Sequence, residues 1–117
     1  MASYFDNPFP EKYTYFRIDK EDVEDTDLLE NFKSAFEFID EGRKKGKVLV
    51  HCNAGISRAG TMITAYVMKT KAMKRDEAME FAQSKRNNPI DPNDGFLKQL
   101  LEFEKLLIKE NVIKDSK

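Results

Sequence analysis

The chain has 117 residues, of which 40% are hydrophobic and 35% charged, with a net charge of −1. That length suits one domain, residues 1–117, with a hydrophobic core of its own, and that composition excludes a disordered chain or a coiled coil. The near-neutral balance argues against a nucleic-acid partner, and no window nears the ~18 apolar residues of a membrane span.

The opening "MASYFDNPFPEK" carries no signal-peptide core, so secretion is not expected. One cysteine forms no internal disulfide, and an intracellular setting follows, cytoplasmic or nuclear. Pro8 and Pro10 make the first segment loop-like. Residues 13–18, "YTYFRI", have the aromatic and β-branched content of a short strand. The acidic stretch "DKEDVEDTD" reads as a loop.

Asp27 is placed to cap the next helix, in which Leu28, Phe32, Ala35, Phe36 and Ile39 share a face. Its end is expected near Gly42 and the basic run Arg43, Lys44, Lys45. "KVLVH", residues 47–51, is a near-continuous apolar run, as in a strand covered on both faces. Strand, helix, strand makes a parallel crossover unit. Residues 58–71 form a further helix through the middle of the domain, marked by Ala59, Met62, Ile63, Tyr66 and Val67. Another covers residues 76–86 with Ala78, Phe81 and Ala82 inward, until "NNPIDPNDG" breaks it. The last runs over residues 94–109 on a stripe of Phe96, Leu100, Phe103 and Leu107.

The junction "VLVHCNAGISRAG", residues 48–60, holds the only His and the only Cys of the chain. Cys52 starts a loop, and six positions later Arg58 begins a helix. Alone, Cys52 would read as a buried structural thiol and Arg58 as a surface charge. Together they build an anion cradle: loop amides, with Gly55 free to adopt conformations other residues avoid, converge with a helix N-terminus on one point. Tetrahedral phosphate oxygens fit there.

The same positive potential favours Cys52 as a thiolate nucleophile. The planar fork of Arg58 grips two phosphate oxygens and stabilises the transferring group. His51, at the strand end, reads as support behind the loop or as strand packing rather than as the base. A poor alkoxide or phenoxide leaving group requires a general acid. The acidic loop offers Asp22, Glu24, Asp25 and Asp27, and the topology brings it to the carboxyl ends of the strands.

"VHCNAGISRAG" resembles the H-C-x5-R signature of the cysteine-dependent protein phosphatases, most like their dual-specificity branch. "AYVMKTKAMKRDEAMEFAQSKR" and "PNDGFLKQLLEFE" resemble the segments that follow it there, so the similarity runs over residues 13–107 in one piece. It implies an α/β, protein-tyrosine-phosphatase-like domain with a mainly parallel central sheet and helices on both faces. The implied activity is metal-independent, cofactor-free hydrolysis of phosphoserine, phosphothreonine and phosphotyrosine in protein substrates through a cysteinyl-phosphate. The phosphate-binding loop would be Asn53, Ala54, Gly55, Ile56, Ser57 and Arg58.

The family's general acid lies ten residues before an aromatic of the crossover helix; counting back from Phe32 gives Asp22 in preference to Asp25. Asn93 resembles the family's Asn behind the cradle, a support for the loop. The uncharged loop residues disfavour a phosphoinositide substrate, and no segment resembles the phosphotyrosine-recognition loop of the tyrosine-specific branch.

Two departures shape the expectations. Ala59 stands where the family usually has Ser or Thr to help the sulfur leave, so slow breakdown of the phosphoenzyme is expected. A phosphoprotein-binding pseudophosphatase or scaffold is the alternative function. In addition, only 51 residues precede Cys52, fewer than the resemblance leads one to expect. Either the chain is a truncated product, or it self-associates as a homodimer that completes the sheet at the strand carrying "KVLVH".

Overall fold

The structure, a computed structural model, describes residues 23–46, 48, 50, 57–86 and 89–113. A 3-10 turn, Leu29–Asn31, leads into helix α1, Phe32–Lys45. Helices α2 (Arg58–Lys71), α3 (Arg75–Ser84) and α4 (Asp94–Lys109) follow. The expected strand at residues 13–18 lies outside the described residues, as do Lys47, Leu49 and His51 of the second. Among the described residues there is no strand.

Asp27 acts locally as its sequence position suggests: its Oδ1 accepts the Glu30 N–H at 3.3 Å. That bond lies at the 3-10 turn before α1, whose own N-cap residue, Asn31, makes no side-chain cap bond. Leu28, Phe32, Ala35, Phe36 and Ile39 are all buried, as the spacing predicts. The helix ends with the basic run as expected: Arg43, Lys44 and Lys45 form its last turn and Gly46 follows. A Cβ on Gly42 would stand 2.6 Å from Val48 Cγ2. Close packing between the helix and the segment after it, not helix termination, is what this glycine serves.

Helix α2 starts and ends where its sequence pattern places it and packs against α1, α3 and α4. Because neighbours cover it on several sides, burial is not confined to one stripe. Ala59, Met62, Ala65, Met68, Thr61 and Thr64 are almost fully enclosed, while Ile63, Tyr66 and Val67 are half-buried. Helix α3 begins one residue earlier than expected and ends two earlier. Ala78 and Ala82 face inward, but Phe81 does not. Its half-buried ring takes the ammonium groups of Lys71 and Lys85 at 5.7 and 5.5 Å, a contact that shields an aromatic surface without enclosing it.

Helix α4 spans the expected residues, with Phe96, Leu100, Phe103 and Leu107 buried. Past its end Asn111 adopts φ 62°, which Asn tolerates better than most residues. The chain then turns back so that Val112 N–H donates to the Leu107 carbonyl at 2.9 Å and Ile113 enters the core. Rings join the helices there: Phe32 meets Phe103 edge-on at 5.1 Å, and Phe36 meets Tyr66 edge-on at 5.5 Å.

The first turn of α4 also presses against the acidic loop, since a Cβ on Gly95 would overlap the Glu24 carbonyl. Alanine ordinarily adds ~1 kcal/mol to a helix interior, yet overpacking against backbone costs ~1–3 kcal/mol. Gly95→Ala is therefore expected to lower stability. The check is urea unfolding: the midpoint should fall with the slope unchanged.

Candidate functional site

Cys52, His51, Asn53, Ala54, Gly55 and Ile56 lie outside the described residues, and so does Asp22. The described part of the candidate site is Ser57 and Arg58 at the start of α2, Asn93 at the start of α4, and the acidic loop from Val23 to Asp27. Three distant stretches of sequence thus contribute to it.

Ser57 and Arg58 are 8% and 7% exposed. Burial of a guanidinium is uncommon, and its position at the first residue of a helix is less common still. The aligned peptide dipoles give that end positive potential and ordinarily favour acids there. The first turn of α2 has no acidic residue. An anion held beside Arg58 would reverse the sign of this local repulsion.

Ser57 precedes α2 but does not cap it with its own side chain. Its hydroxyl oxygen instead accepts the Asn93 N–H at 2.9 Å, across 36 residues of sequence. The Ser57 carbonyl accepts from both the Thr61 N–H at 2.8 Å and the Thr61 hydroxyl at 2.6 Å. Asn93 in turn caps α4, its Oδ1 accepting the Phe96 N–H at 2.9 Å. One residue therefore starts α4 and, through its backbone N–H, ties it to the residue before Arg58. Nearby, the chain before Asn93 closes over α2: a Cβ on Gly60 would lie 3.0 Å from Ile90 Cγ2.

The acidic loop reaches the same helix end. Its Thr26 N–H donates to the Val23 carbonyl at 3.1 Å, closing a turn. Gln99 of α4 then holds the turn's exit: Oε1 accepts the N–H groups of Leu28 and Leu29 at 2.8 and 2.9 Å, and Nε2 donates to the Thr26 carbonyl at 2.6 Å. Sequence reasoning passed over Gln99. The only local hint is a carboxamide between the inward positions Phe96 and Leu100, and its partners are about 70 residues away. Glu24 and Asp25 are exposed on this loop.

A separate cavity of about 460 Å3 is lined by Ile39, Gly46, Val48, Val50 and Ile63, with Arg43 and Tyr66 contributing the polar groups. The Tyr66 hydroxyl donates to Asp40 Oδ1 at 2.6 Å and accepts from Arg43 Nη1 at 3.0 Å. Partial burial, then donation to Asp40, pushes the Tyr66 phenol above its usual pKa, so it remains a neutral donor at neutral pH. Among the described residues, Ser57, Arg58 and Asn93 do not line this cavity.

Among the described residues no cluster of three or more His, Cys, Asp or Glu side chains could hold a metal, and no helix is long and apolar enough to cross a membrane. Residues 3–106 match the family model for the dual specificity phosphatase catalytic domain. MAP kinase phosphatase with leucine-rich repeats protein 3 of Dictyostelium discoideum is 43% identical over 106 residues, which cover 90% of this chain and 12% of that protein. Dual specificity protein phosphatase 1 of Homo sapiens is 44% identical over 99 residues, covering 84% of this chain and 27% of its own length. The crystal structure of the human tyrosine phosphatase-like serine/threonine/tyrosine-interacting protein is similar with a TM-score of 0.82 at 37% identity, covering 90% of this chain and 70% of that one.

Proposed function

Because the chain belongs to the dual-specificity phosphatase catalytic-domain family, we propose that it hydrolyses phosphoserine, phosphothreonine and phosphotyrosine monoesters in protein substrates, without a metal. The fold that goes with this reading is a tyrosine-phosphatase-like domain around a mainly parallel sheet. The observation that carries the site is Arg58, buried at the first residue of α2 and six positions after Cys52, where a guanidinium fork and a helix N-terminus can both face a phosphate monoester.

In the first step the Cys52 thiolate attacks phosphorus, an S–P bond forms and the bond from phosphorus to the substrate oxygen breaks. Asp22 donates its proton to the departing oxygen. Arg58 and the amides of residues 53–58 hold the non-bridging oxygens throughout. In the second step Asp22, now a carboxylate, takes a proton from water as the water attacks phosphorus. The S–P bond breaks, inorganic phosphate leaves and the thiolate returns. Ser57, tied to Asn93, steadies the loop that supplies the amides.

The test is phosphate release from p-nitrophenyl phosphate and from phosphopeptides in the presence of EDTA, combined with acid quenching to trap protein-bound phosphate. Turnover with a trapped phosphoprotein that is lost in Cys52→Ser supports the reading. A folded protein that neither turns over nor becomes phosphorylated overturns it in favour of a phosphoprotein-binding scaffold. The one local feature favouring that rival is Ala59, fully buried where the family usually carries a hydroxyl; in an active enzyme it should make the phosphoenzyme accumulate.

The pH profile identifies the acid. The first step needs Cys52 ionised and Asp22 protonated, so kcat/KM should fall on both sides of an optimum. Asp22→Asn should lose about 10²- to 10⁴-fold on a poor leaving group and lose the alkaline fall. If Asp25→Asn has this signature instead, the acid is Asp25.

A further inference from the structure

We infer that Gln99 is a positioning residue of the reaction, whose carboxamide fixes the acid-bearing loop on α4 in register with the phosphate-binding loop that the same helix anchors through Asn93. The inference rests on the phosphatase reading above and adds a residue to it.

The geometry is specific to a carboxamide. Gln99 Oε1 faces two backbone donors, Leu28 N–H and Leu29 N–H, and Nε2 faces one acceptor, the Thr26 carbonyl. The opposite orientation of the amide would set donors against donors, so the pattern itself fixes which end is oxygen. Glutamate keeps the two acceptor contacts but sets an anion against a carbonyl. Methionine has a similar length and leaves all three backbone groups without their partner.

These bonds determine the loop's position rather than its local shape. Asp27 already serves the 3-10 turn through Glu30, and the Val23–Thr26 bond closes the turn before it. The contacts from Gln99 are instead across 70 to 73 residues and bind that turn to α4. A second contact agrees: Gly95, one helical turn earlier on α4, lets the Glu24 carbonyl rest against the helix. Two residues before Gly95, Asn93 holds Ser57. The first two turns of α4 therefore carry both the stem of the acidic loop and the stem of the phosphate-binding loop. Asp22 is covalently joined to Val23, the first residue of that stem.

A general acid acts within hydrogen-bond reach of the leaving oxygen, and a misplacement of ~1 Å costs up to about 10²-fold. Nucleophile and phosphate cradle do not depend on that register. In kcat/KM, which reports transfer to Cys52 and not the later hydrolysis in which Asp22 acts as base, loosening the acid should therefore be felt only when the leaving group needs a proton.

The experiment compares wild type, Gln99→Met, Gln99→Glu and Asp22→Asn on two aryl phosphates, one with a good leaving group and one with a poor one, across pH. Gln99→Met is expected to lose about 10- to 100-fold in kcat/KM on the poor leaving group and less than about 3-fold on the good one, with a flattened alkaline limb. Gln99→Glu, which keeps two of the three bonds, should fall between it and wild type. Equal losses on both substrates, or no loss on either, would overturn the inference. Should Gln99→Met fail to unfold cooperatively, the same ratio is read from Gln99→Glu.

Asp22→Asn separates the two claims. Leaving-group selectivity in Gln99→Met but not in Asp22→Asn keeps Gln99 as the positioning residue and overturns the assignment of Asp22. Selectivity in Asp22→Asn alone overturns the role of Gln99 and keeps the acid. A wild-type protein without turnover overturns both.

Discussion

Replacing Cys52 by Ser is expected to abolish phosphate release while leaving phosphate binding intact. Oxygen for sulfur is a small change in volume, but a serine hydroxyl has no neighbouring general base in this mechanism and is not ionised at neutral pH. Removing a nucleophile from a cooperating site costs on the order of 10⁶-fold in kcat, which leaves only background. The amides and Arg58 remain, so inorganic phosphate or vanadate should bind with affinity close to that of the wild type. The check is p-nitrophenyl phosphate turnover with EDTA in both samples, beside a vanadate titration followed by thermal unfolding, since a ligand of the native state raises the midpoint. Turnover that survives in Cys52→Ser would remove the cysteinyl-phosphate route.

Arg58→Lys is the second large effect, expected to lower kcat/KM by about 10²- to 10³-fold although the formal charge is kept. Arg58 is 7% exposed at the first residue of α2, and that helix is packed by neighbours almost all round from its first turn. Its direction is thereby set by the helix. A planar fork held in this way meets two oxygens of the phosphoryl group at once; an ammonium on a flexible stem meets one and keeps more rotational freedom. Because the equatorial oxygens spread apart in the transition state, the loss should appear in kcat as well as in KM. Steady-state kinetics of the purified variant, with circular dichroism to verify its helices, is the measurement. Retention of activity within about 3-fold would mean that Arg58 contributes charge alone.

Both effects begin with residues that stand out by type and spacing, as the only Cys of the chain and an Arg six positions after it do. The positions that support them do not stand out in this way. Gly42 stands near the end of α1, where glycine is frequent, yet what requires it is space, since a Cβ there would stand 2.6 Å from Val48 Cγ2. Phe81 looks like a core residue, yet it lies half-exposed beneath two lysines. Ser57 is read from the sequence only as a loop residue, and its hydroxyl accepts the Asn93 N–H. In each case the residue type alone does not decide its use; a partner brought near by the fold does.

The sequence by itself determined the helical stretches, the stripes that form their buried faces, the Asp27 bond to an amide three positions on and the start of α2 at Arg58, as well as the family resemblance that the comparisons uphold. These depend on a 3.6-residue period, on side chains that bond amides three positions away, and on a contiguous motif, all of which are local. Only the tertiary structure decided that the start of α4 is the common support of Ser57 and of the acidic loop. The hydrogen bonds of Gln99 and Asn93, and the contact of Gly95 with Glu24, join residues 36 to 73 positions apart, and that proximity arises only when the helices pack.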